Sequence, residues 1–195
     1  MQCIYRLQYD PLYQTLAIAD ASLLAASALK FDSTSRSSTW KPIEFVCVDV
    51  QKQVPDFWRV EGVPNAFVCN ERVLNNVPSL WEEGFCEPLL VHYCGADLWL
   101  CNVTEYGCWD ALDVEKCIWP SEIPKLGLPL RYAFILSRLI FTTVLTVPET
   151  CEQELYVYEY NGNPAYEFKA SVERQKMTGL VFEKIWDEND TLNQV

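Results

Sequence analysis

Seven short runs, residues 4–9, 43–50, 89–93, 98–103, 139–147, 155–160 and 180–186, are rich in β-branched and aromatic side chains and end at turn signals. Strands this short do not stand alone, so they must pair and bury a common face. In 155–160, Leu155 and Val157 share one parity while Tyr156, Tyr158 and Tyr160 take the other, the period-two signature of a strand with two distinct faces. In 43–50, apolar side chains occupy both parities, which predicts a strand covered on both sides. Residues 89–93 and 98–103 flank Gly95-Ala96-Asp97, a hairpin signal.

Three helices fit between these runs. The first is expected over about 21–29, with Asp20 as its N-cap. The second follows Asn70, where Val73, Leu74, Val77, Leu80 and Trp81 recur at helical spacing until Pro78 kinks or ends the pattern. The third begins with Asn163 as cap and Pro164 in the first turn, carries Ala165, Phe168 and Val172 as its stripe, and stops before Gly179. Strands dominate and do not alternate regularly with helices. The expected fold is therefore α+β: a single domain over 1–195, with a mixed, mostly antiparallel sheet and a few short helices. Residues 1–60 form a candidate N-terminal subregion, and 188–195 are expected to be a flexible tail.

A chain of 195 residues buries roughly 70% of its unfolded surface and needs no metal or disulfide to make a core. Its 15 basic against 27 acidic residues give a net charge of −12. That balance argues against a nucleic-acid binder and against adhesion to an anionic membrane. The apolar stretch 16–29 is similar to the core of a secretory signal, but Asp20 interrupts it and Asp10 stands where a basic leader belongs. No run reaches the roughly 18 apolar residues needed to span a bilayer. A cytoplasmic protein is expected.

Nine cysteines, at 3, 47, 69, 86, 94, 101, 108, 117 and 151, are an odd number without the two-to-four-residue pairing of zinc ligands. They are expected to be free thiols packed as small hydrophobes. Cys94 lies two residues from His92, the only histidine, so a strand would place thiol and imidazole on one side. A packed core cysteine beside a hydrogen-bonded histidine is the favoured reading of that pair. No glycine-rich phosphate loop, G-x-S-x-G elbow or HExxH motif occurs. No metal, cofactor or catalytic residue is expected.

Candidate binding residues come from two places. Glu105, Asp110 and Asp113 lie in a turn-rich connection, where acids are displayed to partners or cap local turns. Tyr156, Tyr158 and Tyr160 form either a stacking platform or cross-strand packing.

Several segments then occur in a distinctive order. Phe31-Asp32-Ser33-Thr34 precedes Trp40-Lys41-Pro42 and Pro55-Asp56-Phe57-Trp58; Phe67-Val68-Cys69-Asn70-Glu71-Arg72-Val73 leads through Phe85 to Pro88-Leu89. Leu100-Cys101-Asn102-Val103 is followed by Asp110-Ala111-Leu112-Asp113 and Lys116, and Glu167-Phe168-Lys169 by Thr178-Gly179-Leu180-Val181-Phe182-Glu183. Over about residues 4–187 this order resembles a bacterial family of immunity proteins from polymorphic toxin loci, first catalogued as a domain of unknown function. Asn70 stands where the family pattern has serine, and it caps a helix equally well. The resemblance implies an α+β protein that neutralises a cognate toxin domain by tight non-covalent binding, without catalysis or cofactor. A charge of −12 suits such a role, since it steers an inhibitor towards a basic cleft. The competing reading is a small-ligand or peptide-binding sensor that uses the aromatic surface.

Overall fold

Short strands leave many unpaired backbone groups, and closing a sheet on itself satisfies them without edges. The computed structural model shows this solution; it describes residues 2–20, 22–25, 31, 33–81, 86–104, 111–120, 127–139, 143–150, 154–160, 162 and 167–189. The elements, in chain order, are β1 (Cys3–Tyr9), β2 (Thr15–Ile18), α1 (Ser22–Ala25), β3 (Ile43–Cys47), β4 (Phe57–Val60), β5 (Ala66–Cys69) and α2 (Glu71–Asn76). They continue with β6 (Cys86–Tyr93), β7 (Ala96–Val103), β8 (Val144–Leu145), β9 (Tyr156–Glu159), α3 (Phe168–Arg174) and β10 (Leu180–Asp187). Six strands close a barrel in the order β2-β3-β6-β7-β5-β4, and four form an open sheet, β10-β1-β9-β8. Pairing is antiparallel except where β2 meets β4 and β3 meets β6. The α+β class with mostly antiparallel pairing therefore holds, with β structure predominant and two sheets in place of one.

Alternation sorts the side chains into three cores. Leu16, Phe45, Trp58, Val68, Val91 and Leu100 fill the barrel. Phe57, Phe67, Cys69 and Cys101 point outward from the barrel wall and meet Leu7, Leu155 and Val157 of the sheet, with Val73 of α2 and Phe168 of α3. The far face of the sheet, including Ile4, Tyr156 and Trp186, packs on Leu112, Cys117, Tyr132 and Phe134.

Polar pins join these layers. Asp56 ends the approach to β4; its carboxylate accepts from Asn70 Nδ2 (3.0 Å), Arg72 Nη1 (3.0 Å to Oδ2) and the Thr178 N–H (2.9 Å). Burial pushes this carboxyl up, but the hydrogen bonds from Asn70 and Thr178 and the Arg72 charge outweigh it and leave the group below the usual aspartate range. Glu87 on β6 does the same for the strap at 35–37, accepting from Ser35 Oγ (2.8 Å), Arg36 N–H (2.5 Å) and Ser37 N–H (3.2 Å), and from Asn102 Nδ2 (2.7 Å). Residues 35–37, in the Ser/Thr-rich run 33–39, are thus tied to the barrel wall.

Local signals place most elements. Asn70 caps α2, its Oδ1 accepting from Val73 N–H at 3.1 Å, and Pro78 ends that helix by opening a single 3-10 turn, Pro78–Leu80. Asp20 caps α1 by accepting from Ser22 N–H at 3.0 Å; the remainder of the expected 21–29 helix, residues 21 and 26–29, lies outside the described residues. So do Asn163, Pro164 and Ala165; α3 is described from Phe168, with Glu167 in the extended cap position. Residues 190–195 of the expected tail also lie outside.

Three expectations are corrected. The hairpin turns at Cys94-Gly95, both at positive φ, so β6 and β7 run one residue closer than the Gly95-Ala96-Asp97 signal implied. Of the expected strand 139–147, Leu139 closes a 3-10 turn and Val144–Leu145 form β8, with a 3-10 helix following at Pro148–Thr150; residues 140–142 lie outside the described residues. Finally, β3 is not covered on both sides: Glu44, Val46 and Val48 face outward and are exposed.

Candidate partner-binding surface

The outward parity of β3 continues onto its neighbours. Val46 stands opposite Ala17 of β2, and the Val48 N–H donates to Thr15 O at 2.9 Å. The chain then turns, with Lys52 N–H donating to Asp49 O at 3.0 Å, and returns beside residues 12–14, where Gln14 N–H reaches Gln53 O at 3.0 Å. This return gathers Leu12 (66% exposed), Val46 (49%), Val48 (48%), Val50 (68%) and Val54 (66%) on one end and side of the barrel. Of the nine large hydrophobics exposed among the described residues, five are here. Single exposed aliphatics are ordinary, but a cluster rimmed by charge marks a contact surface. The rim is present: Glu44 heads the same outward row, Asp49 pairs with Lys52 at 3.0 Å, and exposed Arg59 and Glu61 flank β2.

A second feature lies where barrel meets sheet. Arg6, Leu7, Gln8, Tyr9, Arg59 and Glu154, with Pro64 and Leu155, line a cavity of 430 Å³. Arg6 Nη1 donates to Glu154 Oε1 (2.9 Å), and its Nε and Nη2 to Glu183 Oε2 (2.9 and 2.7 Å). Burial alone would lower the Arg6 pKa; the two carboxylates more than reverse that and raise it. Tyr132 and Tyr156 both donate to Glu154 Oε2, at 2.6 and 2.5 Å. Burial, reinforced by that carboxylate, pushes both phenols up and keeps them protonated donors. The buried carboxylate thus has its hydrogen bonds made, as a buried ion requires. Its chemistry is that of a fastening between β1, the 132 segment and β9.

The residues singled out from the sequence fall out differently. Glu105 and Asp110 lie outside the described residues. Asp113 is a cap: its Oδ1 accepts from Lys116 N–H at 3.3 Å, its Oδ2 pairs with Lys116 Nζ at 2.9 Å, and its side chain is 20% exposed. Tyr156 is 0% and Tyr158 4% exposed, so neither offers a ring to a partner, and Tyr160 is half-buried beside Tyr158. The ladder is cross-strand packing; every second residue of β9 faces the third core. Cys94 is also corrected: it is exposed in the hairpin turn, while His92 Nδ1 sits 2.9 Å from Asp97 Oδ1 across the strand pair. Of the seven described cysteines, all free, five are buried; Cys108 and Cys151 lie outside the described residues. The valine wall escaped sequence reasoning because the outward Val46, Val48 and Val50 are as apolar as the inward Ile43, Phe45 and Cys47; a local clue was the small Thr15 and Ala17 on the neighbouring strand.

Among the described residues no helix is long and apolar enough to cross a membrane, and no group of three His, Cys, Asp or Glu could hold a metal ion. The chain matches no family model, no curated protein and no solved structure.

Proposed function

We propose that this chain is a non-enzymatic protein-binding module of the immunity type, which neutralises a cognate toxin domain in the bacterial cytoplasm. The observation that carries this reading is the exposed wall of Leu12, Val46, Val48, Val50 and Val54 on a closed barrel. Val46 is on barrel strand β3, and backbone hydrogen bonds tie the flanking turns that carry the other four to β2 and to each other, which lowers the ordering cost of binding. The ordered sequence segments support the family assignment, and they fall at junctions: Pro55-Asp56-Phe57-Trp58 and Thr178-Gly179 meet at the Asp56 pin. Acidic charge supports a partner with a basic face around an apolar centre, approached quickly and held by desolvated contacts. Free, mostly buried thiols among the described cysteines support a reducing compartment. The alternative, a ligand sensor with an aromatic platform, lacks exposed rings at 156 and 158.

Growth rescue tests the reading. The toxic domain encoded beside this gene is expressed alone and together with the chain. Rescue by the chain, lost in Val48→Asp at unchanged thermal midpoint, is the expected result. A neighbouring gene without a toxic product, or undiminished rescue by Val48→Asp, refutes the docking face.

A further inference from the structure

The cavity beside β1 originates in the strand pairing. Strand β1 pairs with β9 only as far as Arg6 opposite Tyr156, after which the Leu7 N–H donates to Leu155 O at 2.8 Å. On its other side β1 stays paired with β10 as far as Tyr9 opposite Leu180. Among the described residues no strand takes the β9 side of Gln8 and Tyr9; the cavity lies there, and Arg59 and Pro64 of the barrel also line it. Arg59 comes two residues after Phe57, on the same outward parity of β4. Phe57 is buried in the second core, whereas Arg59 is exposed at the cavity. Charge in this space runs against the rest of the chain: its lining holds two arginines and one glutamate, in a protein of net charge −12. Glu154 is already satisfied, with a side chain 9% exposed that accepts from Arg6, Tyr132 and Tyr156. Arg6 has three of its five N–H donors committed to Glu154 and Glu183, and Gln8 Nε2 donates to Glu183 as well. The Tyr9 hydroxyl donates to Ala66 O at 3.0 Å. Arg59 differs from all of these: its guanidinium makes no hydrogen bond or ion pair with a described residue.

The geometry points to a binding site for a small organic acid, a monocarboxylate whose head pairs with Arg59 and whose apolar body lies along Leu7, Pro64, Leu155 and the Tyr9 ring. The fork of a free guanidinium matches one carboxylate, two parallel N–H groups to two oxygens. A phosphate dianion calls for more donors than one free guanidinium offers, and no lysine, serine or threonine lines the space. The hydrocarbon of two leucines and a proline suits a ligand body that water does not hold. Size favours a whole small molecule. A volume of 430 Å³ falls in the range of about 300–1,000 Å³ usual for such sites, and a single acidic side chain reaching in from a protein partner would leave most of it to water. The site belongs to this chain alone and requires no toxin.

The full-length, isotope-labelled chain is titrated with phenylpropionate and followed through its amide NMR shifts. Saturable shifts are expected at Gln8, Tyr9, Arg59 and Leu155, with a Kd of about 1 mM, and none at Val46 or Val48. Arg59→Gln, at unchanged thermal midpoint, should weaken binding about tenfold, and the neutral amide of the probe should bind the parent chain about as weakly. Arg59→Lys keeps the charge without the fork and should recover part of the loss. No saturable shift at about 10 mM probe, tenfold above the expected Kd, would overturn the site. Shifts centred on the valine wall would do the same. Equal binding of acid and amide, or undiminished binding by Arg59→Gln, would overturn recognition of the anion, and tighter binding of phenyl phosphate would overturn the choice of a carboxylate.

Discussion

A Cβ placed on Gly179 would collide with the Phe57 carbonyl oxygen and lie 2.8 Å from Pro55 Cβ, on a backbone at φ +102°. Neither neighbour yields easily: one is backbone of β4, the other a ring fixed beside it. Gly179→Ala should therefore cost about 2–4 kcal/mol, from a left-handed conformation and a backbone clash together. Urea unfolding measures it, and a midpoint within error of the parent would show that the 178–180 turn relaxes freely. The same substitution at Gly95 is the control, because its added Cβ meets nothing within 4 Å and only the positive φ is penalised.

Elements are held to one another mainly through Asp56, which links β4, α2 and the turn before β10. Asp56→Asn keeps the shape but loses charge and acceptors, at about 1–3 kcal/mol near neutral pH. The pH dependence has a definite sign. A carboxyl held below its unfolded value contributes stability in full above that value, roughly pH 4, and loses it as pH falls through the folded value. The gap between parent and Asp56→Asn should thus shrink from about pH 6 to about pH 3; a constant gap would assign the loss to geometry alone. Glu159 runs the other way, since burial raises it and its contribution fades as pH climbs through the folded value. At this scale the sequence was legible wherever chemistry is local. Asn70 and Pro78 bracket α2, Asp20 starts α1, and period two sorts β9 into its faces. The short strands β2, β4 and β5, four residues each, show no usable period. The parallel contacts that close the barrel join residues far apart in the chain, and nothing local encodes them. For the candidate surface, the acids and tyrosines attracted attention by type, whereas the exposed valines were disguised as core. Burial is a property of the whole fold, which is why Tyr156 and Val48 exchanged roles.

Across the whole molecule, a net charge of −12 sets how partners are met. With the toxic domain named by the rescue assay, the association rate should fall about tenfold from low to roughly 0.5 M salt, and dissociation should change much less. A salt-independent association rate would remove charge steering and leave the apolar wall as the whole of recognition. The sheet has a further consequence, one of timing. Strand β1 leaves the ribosome ahead of the other described strands, yet its partners are β9 and β10: Arg6 waits for Glu183, 177 residues later. The barrel strands, β2 to β7, are complete by Val103, so they are free to close while the rest is still being made. Until Asp187 emerges, β1 carries an unmatched row of amides and carbonyls on at least one side. Synthesis therefore divides folding into an early, local half and a late half that needs both ends of the pattern at once, so a ribosome stalled before residue 156, with Val103 already clear of the exit tunnel, should hold out a finished barrel with β1 beside it still unpaired.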